Sequence, residues 1–320
     1  MKVLDKTISQ LTIPTPFAVG DVHVYLLKGD TLSLIDAGVK TKEAWEALKT
    51  QLNKLGYAPN DVEQIILTHH HPDHIGLIEA FPRAEAIIAH QNVNLWLTQD
   101  ETFFTQYEQF FQQFFVACGV PEELMPSSHE LRGTLQFAGK GQLTDTLDEG
   151  DTLPGHDDWQ VIETKGHAQS HLSFLRENDG AFIGGDHLLH HISPNPLLEA
   201  PIGNDVMRPK PMLQYRANLS KCQSLDIQTV YPGHGDIFSD VNEIIPIRLQ
   251  KQEQRANKVH QLLLENAQTP FDLCEQIFPK QYENQLSLTM SETIGQLDYL
   301  EDEGLVTKTL KGGIYVYDAK

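Results

Sequence analysis

Cysteine is scarce in this chain. Its 320 residues include three, Cys118, Cys222 and Cys274. An odd number of widely spaced thiols provides neither a disulfide framework nor the paired cysteines of a structural zinc site. We therefore expect three reduced thiols, as is usual in a cytoplasmic protein.

Long apolar runs are absent as well. None approaches the roughly 20 residues that a membrane-spanning helix needs. Residues 1–17 are interrupted by Lys2, Asp5, Lys6 and Pro14, so they lack the apolar centre of a signal peptide. Hydrophobic residues make up 40% of the chain and charged residues 21%, as in globular proteins. These features predict a cytoplasmic protein with no membrane partner.

Basic residues are few. The chain has 24 Lys and Arg against 44 Asp and Glu, which gives a net charge of −20. A protein that follows a phosphate backbone needs a basic surface. We therefore expect no nucleic-acid partner. A small basic groove can exist on an acidic protein, so a nuclease or phosphodiesterase activity stays open as an alternative.

Histidine, in contrast, is concentrated in one motif. His69, His71, Asp73 and His74 fall within six residues, directly after an apolar run. In extended backbone, residues two apart point to the same side, so His69 and His71 can bind one ion together. Pro72 then bends the chain, which lets Asp73 and His74 face a second ion. The spacing favours a two-metal hydrolytic centre over a solvated polar loop.

Three further ligand candidates stand at the ends of short apolar runs that are typical of strands. Glycine close to each of them allows a tight exit from the strand and a close approach of the backbone to an ion. Each alone is weak, but together with the motif they complete two coordination shells at one edge of a sheet. They are His167 after residues 159–164, Asp186 after residues 181–185, and His234 after residues 229–233.

These segments resemble, in order, those of the metallo-β-lactamase-fold hydrolases. The resemblance implies one ion on His69, His71 and His167, a second ion on Asp73, His74 and His234, and Asp186 as the bridge between them. It also implies that Asp36 is buried behind the ligands and supports them. The matching segments are residues 34–38 (Leu-Ile-Asp-Ala-Gly), 68–76, 166–171, 184–187 (Gly-Gly-Asp-His) and 231–235 (Tyr-Pro-Gly-His-Gly).

One segment departs from the pattern of the family. Many of these hydrolases have Gly-His-Thr-Pro-Gly-His where this chain has Gly-His-Ala-Gln-Ser-His at residues 166–171. The departure keeps the ligand His167 and changes the loop beside it.

The chemistry of such a site follows from charge. Two divalent ions that share a water lower its pKa, so a bridging hydroxide exists at neutral pH and can attack the substrate. The substrate oxygen docks on one ion, which takes up the charge of the tetrahedral state. We expect Asp73 and His74 to serve catalysis directly. Ligands rich in imidazole favour Zn²⁺, with Fe or Mn as alternatives.

Alternating strands and helices predict an α/β fold. The resemblance implies an αββα sandwich as a catalytic domain over residues 1–246. The predicted elements are short strands within residues 11–35, a helix over residues 42–55, a strand over residues 62–68 and a helix over residues 72–81.

Residues 92–133 are predicted to be a helical insertion that the metal centre does not require. Aromatic residues recur there at intervals of three and four, which is typical of one helix face. The simplest interpretation is packing on the core of the catalytic domain. The alternatives are an apolar wall or lid over the metals, or a self-association surface that would give a homodimer. The stripe is Phe103, Phe104, Tyr107, Phe110, Phe111, Phe114 and Phe115.

A second long connection begins beside Asp186 and must therefore pass near the site. It contains five prolines, and loops of this length are commonly functional. Its polar residues are candidates to support the ligands or to contact substrate, with an ordinary structural role as the alternative. The histidines considered are His187, His190 and His191, together with His171; candidates for binding a substrate carboxylate are Arg208, Lys210 and Tyr215.

From about residue 247 the chain changes character. Three predicted helices, at residues 247–266, 269–278 and 290–300, precede a hairpin around Gly312 and Gly313. This order resembles a winged-helix domain over residues 247–320. Its presumed recognition helix is acidic, with Glu292 and Asp298 inside it and three more acidic residues at its end, Glu301, Asp302 and Glu303. Since these would repel phosphate, we expect packing on the catalytic domain or a sister subunit.

Taken together, these features predict a dinuclear-metal hydrolase that cleaves a carboxylic ester, thioester or lactone of a small molecule. For a thioester or lactone, we expect an apolar pocket beside the metals, built partly from the aromatic stripe. The alternatives are a phosphodiesterase or nuclease of the same fold, and a regulatory protein with a vestigial metal site.

Overall fold

The computed structural model describes residues 1–127, 132–203, 205 and 207–320. Residues 128–131, within the predicted insertion 92–133, and residues 204 and 206, within the second connection, lie outside the described residues. The strands are β1 (Lys2–Val3), β2 (Ile8–Ile13), β3 (Val22–Lys28), β4 (Leu32–Ile35), β5 (Gln64–Ile66), β6 (Ala86–Ala89), β7 (Asp145–Thr146), β8 (Thr152–Leu153), β9 (His156–Glu163), β10 (Leu172–Arg176), β11 (Ala181–Gly185), β12 (Thr229–Pro232), β13 (Val306–Lys311) and β14 (Ile314–Ala319). The α-helices are α1 (Lys42–Lys54), α2 (Pro72–Ile75), α3 (Val93–Thr98), α4 (Glu101–Ala117), α5 (Pro211–Ser224), α6 (Val241–Glu265), α7 (Pro270–Ile277) and α8 (Leu286–Asp302).

Two sheets form the mixed α/β frame. The first has the order β1-β2-β3-β4-β5-β6-β7, antiparallel up to β4 and parallel from β4 to β7. The second has the order β12-β11-β10-β9-β8, in which only the pair β11 and β12 is parallel among the described strands. The carboxyl ends of neighbouring parallel strands lie at the same edge of each sheet, so residues that follow β5, or β11 and β12, leave from that edge.

The apolar runs of the sequence are continuous because the central strands are buried on both faces. In β5, Ile65 packs in one core with α1 residues such as Leu48, whereas the next residue, Ile66, packs in another core with Phe174 of the second sheet. Side chains alternate across a strand, so adjacent residues serve opposite faces. The two sheets therefore face each other, and α1 covers the outer face of the first.

The helix predicted at residues 42–55 is confirmed. Thr41 caps α1, with its side-chain oxygen accepting a hydrogen bond from the N–H of Ala44, and Leu48 and Leu52 are fully buried. Burial of each such leucine contributes about 1.5–3 kcal/mol. This packing fixes α1 against the sheet that carries the metal motif.

Tertiary contacts divide the chain into two compact units. The first comprises Met1–Asp100, Gly133–Pro194 and Lys221–Val241; the second comprises Glu101–Arg132, Asn195–Ser220 and Asn242–Lys320. The division predicted from the sequence, into residues 1–246 and 247–320, stays a prediction. The second unit contains residues from both of the predicted parts.

Five of the seven rings of the aromatic stripe of α4, from Tyr107 to Phe115, pack within a core of the second unit. Phe111 and Phe115 share a core with Phe271 of α7 and with Met290 and Ile294 of α8. The sequence favoured packing on the core of the metal-binding part. The structure instead places these rings among C-terminal side chains about 155 to 185 residues away, a partnership that helical periodicity cannot reveal.

The C-terminal elements follow the predicted order, with α6, α7 and α8 preceding a hairpin of β13 and β14. Helix α6 begins at Val241, ahead of the predicted start at residue 247, and runs through Pro246. Proline removes one backbone hydrogen bond near the start of the helix, and the helix continues despite that loss. Among the described helices, no segment has the length and apolar character required to cross a membrane.

Candidate metal centre

The histidine motif leaves the first sheet at the end of β5 and turns into α2. His71 lies just before the helix in extended conformation, and Pro72 occupies the first helical position, where its missing N–H needs no partner. Asp73 and His74 therefore lie in the first turn of α2, as predicted. The helix ends at Ile75 and not at the predicted residue 81, and a separate 3-10 turn follows at Ile78–Ala80. The turn from strand to helix separates His69 and His71 from Asp73 and His74, so the two pairs can serve different ions.

The other three candidates arrive from the second sheet. His167 follows β9, Asp186 follows β11 directly, and His234 lies two residues after β12. Because β11 and β12 are parallel neighbours, Asp186 and His234 leave the sheet at the same edge. All seven predicted ligands belong to the first unit, and the structure brings them together.

Three imidazoles form the first donor group. Nδ1 of His71 lies 3.0 Å from Nε2 of His69 and 3.0 Å from Nε2 of His167. His71 thus presents Nδ1, whereas its two neighbours present Nε2. His71 and His167 are partly exposed and His69 is fully buried, so this part of the centre is open to solvent.

The second donor group consists of Asp73, His74 and His234. Nε2 of His234 lies 3.3 Å from Oδ2 of Asp73. Asp186 stands between the groups: its Oδ2 lies 3.5 Å from Nε2 of both His167 and His234, and its Oδ1 lies 3.5 Å from Nε2 of His74. A single carboxylate therefore contacts ligands of both groups, as expected of a bridge.

These separations fit metal coordination. Two ligands about 2.0–2.1 Å from a tetrahedral Zn²⁺ lie roughly 3.3 Å from each other, close to the 3.0–3.5 Å found here. In addition, Nε2 of His74, Nε2 of His234 and Oδ1 of Asp186 are buried without a hydrogen-bond partner. Buried polar atoms are nearly always satisfied, so three convergent exceptions indicate a cation-binding site.

Asp36 lies behind His74 and Thr68 and is hydrogen-bonded to both. Its Oδ2 accepts hydrogen bonds from Nδ1 of His74 at 2.7 Å and from the Thr68 hydroxyl at 2.8 Å, and its Oδ1 accepts from the Thr68 N–H at 2.7 Å. Because Nδ1 of His74 donates to a carboxylate, Nε2 is left with a lone pair for an ion. Asp36 has φ 62°, a strained conformation for a residue other than glycine.

His171 holds the backbone beside Asp186. Its Nε2 accepts a hydrogen bond from the Asp186 N–H at 3.0 Å, so Nδ1 carries the proton and donates to the Thr164 hydroxyl at 2.8 Å. Thr164 in turn contacts Ser173 at 2.8 Å, whose hydroxyl donates to the Gly184 carbonyl. His171 thus holds the backbone of Asp186, the carboxylate that lies between the two donor groups.

Glycine permits the close approach of the strand ends. A Cβ on Gly233 would lie 2.2 Å from Oδ1 of Asp186 and 3.0 Å from Cε1 of His74. No side chain can occupy that space without moving a ligand.

The electrostatics of the cluster favour cations. Burial opposes the charged form of His74, but the carboxylates of Asp186, Asp36 and Asp73 outweigh it and raise the pKa of His74 well above its ordinary value. Burial likewise opposes ionisation of Asp186, yet the nearby imidazoles of His234 and His74 hold its pKa well below its ordinary value. Three buried carboxylates in one cluster need compensation, which two divalent ions would supply.

The remaining sequence candidates have other surroundings. In the first unit, His187 is buried with its ring 6.2 Å from that of His171; His190 stacks on Phe238; and His191 is exposed. In the second unit, Arg208 makes a bidentate ion pair with Asp298, Lys210 lies 3.3 Å from Glu301, and Tyr215 is fully buried. Their predicted contacts with substrate stay predictions.

The sequence offered no signal for three residues beside the ligands. His70, between two ligands, is buried with Nδ1 2.8 Å from the Ser170 hydroxyl and its ring stacked on Trp96. His23 and Tyr25 of β3 contact the loop that carries His234. Spacing could not have found these residues, since each acts through a contact about 100 or more residues away.

The fold and the donor groups define a class of protein. The family model described as metallo-beta-lactamase superfamily matches residues 18–234, and the chain belongs to this superfamily. This confirms the family suggested by the motifs.

Individual relatives extend over most of the chain. It is similar to a Bacillus subtilis protein named probable metallo-hydrolase YqjP, with 42% identity over 94% of each chain. It is also similar to a solved metallo-beta-lactamase family protein of Thermus thermophilus, with 28% identity, a TM-score of 0.83, and coverage of 99% of this chain and 100% of the other. An atrochrysone carboxyl ACP thioesterase of Aspergillus fumigatus is 26% identical over 34% of this chain and 30% of its own.

Proposed function

We propose that this protein is a dinuclear-metal hydrolase that cleaves a carboxylic ester, thioester or lactone of a small molecule. The observation that carries the proposal is the convergence of seven donors at separations that suit two ions sharing Asp186. An intact donor set of this kind argues against a regulatory protein with a vestigial metal site. Membership of a metallo-hydrolase superfamily supports the same conclusion.

The side chains divide the work. His69, His71 and His167 would hold one ion, Asp73, His74 and His234 the other, and Asp186 both. When bound, the two ions supply an activated water at neutral pH and polarise the substrate carbonyl. Asp36 keeps His74 in the tautomer that binds through Nε2, and the partly exposed His71 and His167 border the side from which substrate enters. The role of Asp73 and His74 in catalysis follows from their place in the donor set.

Zn²⁺ is the proposed metal. The seven donors are five imidazoles and two carboxylates, and one of the carboxylates is the proposed bridge. Such nitrogen-rich ligation suits Zn²⁺, and Fe or Mn can occupy similar sites.

The proposed bond type, a carboxylic ester or thioester, rests on the net charge of the chain and on its similarity to one fungal protein. A net charge of −20 disfavours long polyanionic substrates, which argues against a nuclease. The matched fungal protein is a thioesterase, although the match covers a minor part of both chains. A carbonyl-centred ester or thioester also makes use of an ion that stabilises the charge of a tetrahedral state.

The C-terminal region is proposed to be a winged-helix-like domain with a structural role. Helix α8, in the position of a recognition helix, is buried along most of its length. Three of its acidic residues are already paired, Glu292 with Arg255, Asp298 with Arg208 and Glu301 with Lys210. These ion pairs leave the helix poorly suited to a groove of nucleic acid. The homodimer and the cytoplasmic location predicted from the sequence stay predictions.

The test is a hydrolysis panel of thioesters, lactones, phosphodiesters and β-lactams, run with protein loaded with zinc, manganese or iron. We expect metal-dependent turnover of a thioester, a lactone or a related carboxylic ester, and its loss after chelation. Selective turnover of phosphodiesters would support the phosphodiesterase alternative instead. Ester hydrolysis that survives complete removal of metal would overturn the proposal.

A further inference from the structure

The start of strand β3 is hydrogen-bonded to the loop that carries His234. The His23 N–H donates to the Gly233 carbonyl at 2.7 Å, and Nδ1 of His234 lies 2.8 Å from the Asp21 carbonyl. Val22 and His234 also form an isolated antiparallel bridge. Because Nδ1 of His234 donates to a carbonyl, Nε2 is free to face Asp73 and Asp186.

Two side chains of β3 add hydrogen bonds to the backbone on either side of His234. Nε2 of His23 donates to the Gly235 carbonyl at 2.7 Å, and the Tyr25 hydroxyl donates to the Pro232 carbonyl at 2.7 Å. Both side chains are buried, with 7% exposure for His23 and 2% for Tyr25. The carbonyls that they hold lie one residue after and two residues before His234, so the ligand is fixed from both sides.

The loop has little freedom to compensate for a lost contact. The Gly233 N–H donates to the Gly185 carbonyl at 2.7 Å, which joins this loop to the residue before Asp186. Gly233 also lies so close to Asp186 that a side chain would not fit. Metal ligands must be held within about half an ångström of their binding positions. A small shift of this loop would therefore displace His234 from the second donor group.

We infer that His23 and Tyr25 are positioning residues for the second of the two ions, the one assigned to Asp73, His74 and His234. This inference rests on the proposed function, since it presupposes a two-ion centre. Neither residue touches a donor atom, and each acts through a backbone carbonyl next to His234.

The inference predicts a selective effect. The donors of the first ion, His69, His71 and His167, come from loops after β5 and β9. The side chains of His23 and Tyr25 instead contact the loop after β12 and the last residue of β12. Loss of either side chain should weaken the second ion and spare the first. A residue with only a general stabilising role would weaken both ions or neither.

The experiment compares His23→Ala, His23→Gln and Tyr25→Phe with the wild type. Zn²⁺ is titrated into metal-free protein by calorimetry, and the bound ions are counted after dialysis by elemental mass spectrometry. We expect two ions in the wild type and an affinity for the second ion about 10–100-fold lower in His23→Ala. Tyr25→Phe should fall at the lower end of that range, because it removes only the hydroxyl and keeps the buried ring. Gln places a donor nitrogen near the position of Nε2, so His23→Gln should recover much of the loss.

His156→Ala provides the matched control. His156 is equally buried in the first unit, but its Nε2 contacts the Ser33 hydroxyl at 2.6 Å, at the start of β4 and away from the ligand loops. This variant should lose stability, measured by thermal unfolding of the metal-free protein, and still bind both ions normally.

The outcomes distinguish a failure of the proposed function from a failure of the inference about His23 and Tyr25. Fewer than two ions in the wild type would defeat the proposed function. Two ions in the wild type, with both affinities unchanged in His23→Ala and Tyr25→Phe, would overturn the inference. If His23→Ala fails to fold, Tyr25→Phe and His23→Gln decide: the inference fails if Tyr25→Phe binds the second ion as the wild type does.

Discussion

Asp36 and His74 are joined by a hydrogen bond of 2.7 Å between Oδ2 and Nδ1, although 38 residues separate them along the chain. Asp36 reaches this position with φ 62°, directly after β4, and His74 reaches it from the first turn of α2. The strained backbone is retained where it orients a donor, as is common at functional sites. The pair links the first sheet to the second donor group.

Replacement of Asp36 by Asn should weaken binding of the ion held by His74 about 10–100-fold. Asn tolerates the left-handed backbone conformation, so the change mainly removes the carboxylate charge behind Nδ1. Zinc titration of metal-free protein provides the measurement. Unchanged affinity in a folded Asp36→Asn variant would show that this carboxylate does not tune the site.

Replacement of His71 by Ala should abolish hydrolysis, with a loss of at least about 100-fold, because it removes a direct ligand and not only a group behind one. Since His71 is partly exposed, the fold should persist, as judged by far-UV circular dichroism. His260→Ala, at a partly exposed histidine of α6, serves as the control and should retain activity. Full activity in His71→Ala would contradict the ligand assignment.

Replacement of Ser170 by Ala should destabilise the fold. Its hydroxyl contacts Nδ1 of the buried His70 at 2.8 Å, and an unsatisfied buried group costs about 1–3 kcal/mol. Denaturant unfolding of the two proteins measures the difference. Ser220→Ala is the matched control, because its hydroxyl bonds to the Arg216 carbonyl at an exposed position of α5 and should matter little. Equal stabilities of Ser170→Ala and wild type would refute the role of this contact.

Replacement of Arg208 by Ala should lower the free energy of unfolding by about 3–5 kcal/mol, because it leaves the buried Asp298 without its partner. The double variant with Asp298→Asn should lose less than the sum of the single losses, as expected of a coupled pair. Urea unfolding measures the free energy of unfolding of Arg208→Ala, of Asp298→Asn and of the double variant. The same proteins test the earlier candidate role of Arg208: a raised KM for a substrate with a carboxylate, without loss of stability, would favour contact with substrate.

Asp5 should make the stability of the fold depend on pH in the acidic range. Burial alone would raise its pKa, but hydrogen bonds from Arg176, Thr7 and the Ile8 N–H outweigh this and lower the pKa to about 2. The folded value thus lies below the unfolded value of about 3.9, so Asp5 stabilises the fold above about pH 4 and loses that effect as the pH falls towards 2.

Asp5→Asn should therefore be less stable than wild type at pH 7, with a difference that narrows below about pH 4. Denaturant unfolding of the metal-free proteins across this range is the measurement. Asp318→Asn, at an exposed carboxylate of β14, is the control and should follow the wild type throughout. A difference that stayed constant down to pH 2 would contradict the assignment to Asp5.

Much of the metal centre was accessible from the sequence, because its signals are local. The alternation of extended backbone pairs His69 with His71, Pro72 starts a helix, and the apolar runs before His167, Asp186 and His234 predict strands whose ends could converge. The structure brings all seven side chains together as expected. The family follows from the same residues.

Other features were inaccessible because they depend on partners far away in the chain. Nothing in the spacing shows that His71 presents Nδ1, or that the Ser170 hydroxyl meets His70. The periodicity of α4 showed an apolar face but could not show that Phe111 and Phe115 pack among C-terminal side chains, because a hydrophobic stripe does not specify what covers it.

The sequence by itself determined the elements, the donor types and their order, since helix and strand periods, turns and ligand chemistry are written over a few residues at a time. The tertiary structure alone decided which donor atoms converge in the candidate centre and which side chains hold the loops that carry them. Those choices arise when β3, β5, β9, β11 and β12 bring distant residues within hydrogen-bond distance, and burial then requires each polar group to find a partner.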